Sequence, residues 1–369
     1  MRILIAANTS WYIHNFRRRL ISTLLEDGHE VLIAAPPDPW SARLAASGCR
    51  FIPLEVDNKG TSPIRDAQLI GRLKRMLRET RPELVFTFTI KPNIYMSLAA
   101  RGLGIPTVPN VSGLGTAFLK KGWLNRLVRL LYRQAFRAPA IVFFQNRDDQ
   151  AMFLSQGLVR AEQARLLPGS GVDLSAFAPV PLPADGHVTF LLIARMLRDK
   201  GIGEFVEAAR QIRKDCPQAR FRLLGFLNAE NRSAIQPETI DAWVAEGIVE
   251  YLGAADDVRP HIAAADCVVL PSYREGTPRS LLEAAAMARP VITTDAPGCR
   301  DVVEAGTTGF LCAPRDADSL TQAVRGFIDL PCDKRREMGL NGRRKMERDY
   351  DEAIVIRAYQ QVIRDLGPR

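Results

Sequence analysis

Residues 269–290 read V-L-P-S-Y-R-E-G-T-P-R-S-L-L-E-A-A-A-M-A-R-P. The short apolar run Cys267 to Leu270 has strand composition, and Pro271 stops it before a loop carrying Glu275, Gly276, Thr277 and Pro278. From Arg279 onward, Leu281 to Met287 are good helix formers, until Pro290 ends the run. A strand, a tight loop and a helix are therefore expected in that order. The first amides of such a helix have no internal partners and carry the positive end of its dipole, so with Gly276 they make a site where a phosphate can approach bare backbone. Thr277 is placed to cap the helix, and Pro278 gives up no donor that the helix needs.

Two carboxylates, Glu275 and Glu283, flank this anion site. Alone they would repel an anion, but both can accept hydrogen bonds from hydroxyls attached to it, and a sugar nucleotide has that combination of parts. The competing reading makes Glu283 an i,i+4 or capping partner and Glu275 a solvated loop residue.

Outward from this stretch the chain alternates strands and helices. In the second half, strands are expected at Val188 to Ala194, Phe221 to Leu224, Val249 to Leu252, Val291 to Thr293 and Phe310 to Cys312, with helices between most of them. In the first half, Arg2 to Ala6 and Glu30 to Ala34 are strand-like around a helix from Phe16 to Glu26, a βαβ beginning. Residues 178–186, A-P-V-P-L-P-A-D-G, read as a stiff linker. Two α/β domains are expected, 1–178 and 188–350, joined by a linker over 179–187 and followed by a tail helix in 351–369.

Glu275 and Glu283 are separated by seven residues, and E-G-x6-E after L-P-S resembles the E-x7-E signature of retaining GT-B glycosyltransferases of the GT4 type. The segment Asp295 to Leu311, D-A-P-G-C-R-D-V-V-E-A-G-T-T-G-F-L, resembles the same family. The resemblance implies a GT-B fold: two doubly wound, Rossmann-like domains facing a central cleft, with the last helix crossing back onto the first domain. It implies that Gly276, Thr277 and Pro278 hold the donor's distal phosphate, that Glu283 binds the ribose and that Glu275 contacts the donor sugar. Arg195 and Lys200 follow the strand that opens the second domain, and R-x4-K there resembles the family's phosphate-holding pair. Cations so placed face the charge that grows on a departing nucleotide diphosphate. Asp148-Asp149 and Asp256-Asp257 read as helix starts, and no metal and no other cofactor is expected.

The loop Asn8 to Asn15 lacks the glycines of a dinucleotide fingerprint, which removes the main support for a dehydrogenase. It also departs from the many GT4 relatives that are glycine-rich here, although Asn15-Phe16-Arg17 resembles a form seen in branches acting on lipid-linked sugars. Ile90-Lys91-Pro92-Asn93 follows a buried strand and, with Val108 to Gly115, resembles GT4 enzymes that extend lipid-linked glycans. His14, Asn15, Lys91, Asn93, Ser112 and Gly113 are the expected acceptor-side residues.

At 369 residues, 47% hydrophobic and 25% charged, the chain is long enough for two cores. No run has the roughly 18 predominantly apolar residues of a membrane span, and Met1 to Leu4 enters a strand rather than a signal peptide, so a cytoplasmic protein is expected. The six cysteines form no C-x-x-C pair and the four histidines no ligand spacing. The net charge of +9 is uneven. Residues 1–179 hold 24 Lys and Arg against 13 Asp and Glu, leaving +11, whereas 180–369 hold 26 against 28, leaving −2. That asymmetry calls for an anionic partner of the first half, nucleic acid or an anionic lipid surface. No basic sheet interleaved with aromatics supports nucleic acid. The stretch Phe118 to Arg137 carries six cations and no acid, with Leu124, Leu127, Val128, Leu131 and Ala135 on one helical stripe. Such a helix can lie in a membrane interface, with Phe118, Lys120, Lys121, Trp123 and Arg126 toward lipid.

The expected activity is transfer of a hexose or N-acetylhexosamine from a UDP-linked nucleotide sugar to a polyprenyl-diphosphate-linked saccharide, at the inner face of a bacterial membrane. The alternatives are a soluble acceptor and a sugar-nucleotide epimerase.

Overall fold

The computed structural model describes residues 1–56, 63–114, 123–227, 231 and 233–367. Two compact units emerge, Met1–Ser170 with Ala353–Arg369, and Gly171–Glu352.

In the first unit the chain runs β1 (Arg2–Ala6), α1 (Ser10–Glu26), β2 (Glu30–Ala35), α2 (Ser41–Ala46), β3 (Arg50–Pro53), α3 (Pro63–Thr80) and β4 (Leu84–Phe88). A π-helical turn, Pro92–Met96, leads into α4 (Ser97–Arg101), followed by β5 (Thr107–Val111), α5 (Trp123–Ala135), β6 (Val142–Phe144), α6 (Arg147–Ser155) and β7 (Ala164–Leu166). The strands form one parallel sheet in the order β3-β2-β1-β4-β5-β6-β7. Side chains alternate along a strand, so β1 feeds two cores. Leu4 and Ala6 pack with Leu69, Leu73 and Leu77 of α3, while Ile3 and Ile5 pack with Ile13, Leu20 and Leu24 of α1. Burial on both faces explains the continuous apolar strands.

The second unit repeats the plan with β8 (Val188–Ile193), α7 (Ile202–Asp215), β9 (Ala219–Leu224), α8 (Pro237–Ala245), β10 (Glu250–Tyr251), α9 (Arg259–Ala263) and β11 (Cys267–Leu270). It continues with α10 (Arg279–Ala286), β12 (Val291–Thr294), β13 (Gly309–Cys312), α11 (Ala317–Ile328) and α12 (Cys332–Lys345). Its parallel order is β10-β9-β8-β11-β12-β13. Phe190 and Leu192 meet Phe205 of α7 and Leu320 and Phe327 of α11 on one face; Leu191, Val268 and Leu270 meet Leu281, Leu282 and Ala285 of α10 on the other.

The tail helix α13 (Glu352–Leu366) packs into the first unit's core. Val355, Tyr359, Val362 and Ile363 are buried with Ile3 and Phe86, and the Tyr359 ring meets Phe86 edge-on at 4.9 Å. Burying each of the three aliphatic side chains contributes about 1.5–3 kcal/mol as an upper figure.

In both sheets strand order reverses beside the first strand, between β1 and β4 and between β8 and β11. Loops leaving the carboxyl ends of those strands are the natural ligand positions of a doubly wound sheet.

Several expected boundaries move. Helix α1 begins at Ser10 rather than Phe16, because Thr9 caps it by accepting from the Tyr12 amide at 3.1 Å. Strand β10 is two residues, Glu250–Tyr251. The domain boundary expected at 178 lies after Ser170, and 179–187 is not a free linker. Val172 donates to the Tyr350 carbonyl at 2.9 Å and accepts from the Glu352 amide at 3.1 Å. Arg343 donates to the carbonyls of Leu174 and Phe177 at 3.1 and 2.9 Å, and buried Arg289 to those of Val180 and Pro181 at 2.8 and 2.7 Å. Proline composition signals stiffness; it carries no trace of two arginines more than a hundred residues away. Phe118, Lys120 and Lys121 lie outside the described residues. All six cysteines are free thiols, and Cys49, Cys267, Cys299 and Cys312 are buried.

Candidate active site

Two loops meet at the strand-order reversal of the second sheet. After β8 the chain passes Arg195 and makes one 3-10 turn, Arg198–Lys200, before Gly201 opens α7 with φ of 73°. A Cβ on Gly201 would stand 2.1 Å from the Pro271 carbonyl oxygen, so glycine alone lets this turn press against the end of β11. The two loops are then sewn together. The Asp199 carbonyl accepts from the Tyr273 amide at 3.0 Å and from Ser272 Oγ at 3.1 Å.

This approach pairs Lys200 Nζ with Glu275 Oε1, and the same oxygen accepts from Ser272 Oγ at 2.7 Å. The two side chains are only 20% and 14% exposed, so water screens the pair little. Glu275 is thus a held carboxylate, not a solvated loop residue. The D-A-P-G-C loop after β12 supports it from behind. The Glu275 amide donates to the Pro297 carbonyl at 3.0 Å, and a Cβ on Gly298, at φ 77°, would lie 2.3 Å from the carbonyl oxygens of Glu275 and Gly276.

Helix α10 starts one residue later than a Thr277 cap requires. Its N-cap is Pro278, extended at φ −74° and ψ 107°, and no side chain caps it. The Pro278 carbonyl accepts from the amides of Leu281 and Leu282 at 3.1 and 3.3 Å. Gly276 and Pro278 are buried and Thr277 half-buried at this helix entrance. Glu283, one turn inside, accepts from Arg279 Nε at 2.7 Å, the i,i+4 pairing that the sequence left open. Burial pushes the Glu283 carboxyl above the usual Glu range, while the charge and hydrogen bond of Arg279 hold it back. Arg195 is exposed and pairs with no described residue. Beside this group Tyr273 donates to Glu204 Oε1 at 2.6 Å with the Arg315 guanidinium 4.7 Å over its ring; its phenol is held protonated by burial and by the Glu204 partner.

Sequence reasoning named Arg195, Lys200, Glu275 and Glu283 but missed Ser272 and the two spacing glycines. The available signal was glycine directly after Lys200 and within D-A-P-G-C, each where a loop must pass close to another backbone. Among the described residues no three His, Cys, Asp or Glu side chains gather as a metal-ligand set.

In the first unit the expected acceptor-side residues separate into two kinds. His14 and Asn15 sit in the first turns of α1: His14 faces the Trp40 ring at 4.9 Å, and burial together with Arg18 and Arg43 lowers its pKa, while Asn15 Nδ2 donates to the Trp11 carbonyl at 2.9 Å. Lys91 follows β4 and pairs with Asp66 Oδ1 at 3.2 Å, and Tyr95 donates to Oδ2 at 2.6 Å. Between them Thr89 adopts φ 68°, a strained value for a β-branched residue, and its hydroxyl accepts from the Asn8 amide at 3.3 Å, tying the loop after β4 to the loop after β1. Ser112 and Gly113 follow β5 and are half-buried. Asn93 is a correction. It is 1% exposed, accepts from Thr87 Oγ1 and donates to the Asn110 carbonyl, both at 2.8 Å, so it braces the sheet instead of meeting an acceptor. Asn110 in turn donates to Tyr359 of α13 at 2.9 Å.

Helix α5 buries Tyr132 and Ala135, with Val128 and Leu131 packed against the core. Arg126, Leu130 and Arg133 fall at i, i+4 and i+7 on its exposed face, and Leu130 is 53% exposed. Among the described residues no helix is long and apolar enough to cross a membrane.

Comparison with known proteins adds to this picture. Residues 187–329 match the family described as "Glycosyl transferases group 1", and residues 13–169 match "Glycosyl transferase 4-like domain". The N,N'-diacetylbacillosaminyl-diphospho-undecaprenol alpha-1,3-N-acetylgalactosaminyltransferase of Campylobacter jejuni is 27% identical over 390 residues, covering 99% of this chain and 100% of that protein. The UDP-Gal:alpha-D-GlcNAc-diphosphoundecaprenol alpha-1,3-galactosyltransferase of Escherichia coli is 26% identical over 292 residues, 76% of this chain and 74% of that one. In fold, sucrose-phosphate synthase of Thermosynechococcus elongatus superimposes with a TM-score of 0.82 at 22% identity over 99% of both chains. The Anabaena protein HepE in complex with UDP gives 0.79 at 19% identity, over 99% of this chain and 100% of that one.

Proposed function

Since the chain belongs to the group 1 glycosyltransferases and has their GT-B fold, we propose that it moves a hexose or N-acetylhexosamine from a UDP-sugar to a polyprenyl-diphosphate-linked saccharide, with retention at the anomeric carbon. The observation that carries the reading is the Lys200–Glu275 pair at the strand-order reversal of the second sheet, with the exposed Arg195 on the same loop after β8 as Lys200. Donor recognition follows from the local chemistry. Arg195, Lys200 and the entrance of α10 take the diphosphate, ionised Glu283 accepts from the ribose, and Glu275 accepts from hydroxyls of the sugar.

As the bond from the anomeric carbon to the phosphate oxygen breaks, charge grows on that oxygen, and Lys200 and Arg195 stabilise it more than they stabilise the ground state. The acceptor hydroxyl attacks from the same face and passes its proton to the departing phosphate. Glu275 aligns the sugar and forms no covalent bond. Two side-chain cations carry the compensating charge, so the reaction calls for no metal ion.

The lipid-linked acceptor and the inner membrane face belong to the same proposal. They are supported by the +11 charge of residues 1–179, by the exposed Arg126, Leu130 and Arg133 of α5, and by the acceptors printed in the two relatives' names. Incubating the protein with a panel of radiolabelled UDP-sugars and a membrane extract tests it. Label is expected in the lipid-linked saccharide fraction with release of UDP. Conversion of donor alone into an epimer, or transfer only to water-soluble acceptors, would refute it.

A further inference from the structure

A cavity of about 180 Å³ opens beside the loop after β4, lined by Arg65, Asp66, Gln68, Leu69, Arg72 and Lys91. Its lining carries three cations and one carboxylate. Asp66 has both oxygens engaged, Oδ1 with Lys91 Nζ at 3.2 Å and Oδ2 with the Tyr95 hydroxyl at 2.6 Å, and it is 19% exposed. It therefore serves to hold the lysine at the wall. Arg65, Leu69 and Arg72 fall at i, i+4 and i+7, on one face of α3, with Leu69 buried. Arg72 Nη1 stands 3.8 Å from the Glu55 carboxylate, but Glu55 is 88% exposed, so water screens that pair heavily.

We propose that this cavity binds a diphosphate group and, resting on the function proposed above, that the group is the diphosphate of the lipid-linked acceptor. Guanidinium forks take phosphate oxygens in pairs, and a lysine adds a point charge from a second direction. At roughly 30 Å³ per water molecule the space holds about six waters, enough for a diphosphate. The donor's diphosphate already has its cations, Arg195 and Lys200, in the other unit. A second cationic cavity therefore calls for a second anionic group, and the reaction supplies one, on the acceptor. Lys91 leaves the carboxyl end of β4, one wall of the first sheet's own strand-order reversal, which places the cavity beside the loops expected to meet the acceptor.

The test is calorimetric titration of the whole protein with inorganic pyrophosphate at saturating UDP, so that the donor's phosphate site is filled. Wild type is expected to bind, and Arg65→Gln/Arg72→Gln to lose roughly tenfold or more in affinity with its UDP affinity unchanged. Arg72→Lys should keep part of the binding. The same double variant should raise KM for a short-chain prenyl-diphosphate-linked saccharide by a similar factor while KM for the donor stays. Equal pyrophosphate binding by wild type and double variant overturns the inference. So does loss of binding to phosphatidylglycerol vesicles with the short-chain acceptor's KM unchanged, which would assign the cavity to a phospholipid headgroup. If UDP itself fails to bind, the proposed function falls, and the pyrophosphate titration still reads the cavity.

Discussion

Replacing Lys200 by methionine keeps the length of the side chain and removes its charge, leaving Glu275 with Ser272 Oγ as its remaining partner among those identified, at 2.7 Å. Two separable effects follow. The first is on stability. An exposed ion pair is worth about 0–1 kcal/mol and breaking a fully buried one costs about 3–5; with side chains 20% and 14% exposed this pair lies between, so a loss of about 2 kcal/mol is expected. For a unit the size of Gly171–Glu352 that corresponds to a Tm lower by about 4–8 °C. The second effect is on turnover. If Lys200 faces the charge growing on the departing phosphate, its loss should lower kcat by about 100- to 1,000-fold. The combination Lys200→Met with Glu275→Gln separates the two. Neutralising the stranded carboxylate should restore most of the Tm and none of the rate. Scanning calorimetry and a coupled assay of UDP release, well below the Tm of every variant, provide the readouts. A Lys200→Met enzyme with lowered Tm and a rate within about threefold of wild type would mean that the lysine merely ties Glu275 down, and the leaving-group argument would be wrong.

Glu283 sets a pH dependence. Burial raises its pKa, so the folded chain holds that proton longer than the unfolded one; its contribution to stability is complete below the usual Glu range and is lost as pH rises through the raised value, while UDP affinity, under the proposed ribose contact of the carboxylate, should grow over the same window. Calorimetry from about pH 4 to 7 should show this, Arg279→Gln should move the window upward, and Glu283→Gln should flatten it, whereas a flat wild-type profile would remove Glu283 from the ribose. Gly201→Ala should cost about 1–2 kcal/mol for the left-handed backbone alone. The 2.1 Å clash with the Pro271 carbonyl adds to that by driving the Lys200 turn off the β11 loop, so turnover should fall with every charged group intact; an active variant of wild-type Tm would contradict the close approach. Replacing Lys120, Lys121 and Arg126 by glutamine removes three cations worth about 1 kcal/mol each near an anionic surface, so vesicle binding should weaken about a hundredfold, as moderate salt should also do. Failure of the wild type to float with anionic vesicles at low salt would leave the basic helix as a solvated face.

The sequence by itself determined what depends on near neighbours. Alternating strands and amphipathic helices announced two parallel α/β sheets, E-x7-E after L-P-S picked out the loop and helix that carry Glu275 and Glu283, and R-x4-K picked out Arg195 and Lys200, because each of these is written within a few residues. What only the tertiary structure decided depends on which strands lie side by side. Lys200 and Glu275 are 75 residues apart and become a pair because the crossover order puts β8 next to β11. Asn93, polar and set in a promising loop, turned out to be a brace because Thr87 and the Asn110 carbonyl on neighbouring strands consume its amide. The segment 179–187 reads as a linker from its prolines, yet Arg289 binds it to the second unit through backbone carbonyls, which have no residue identity to read. Local spacing fixes which groups a loop can offer, and strand adjacency decides which of those groups are already spoken for.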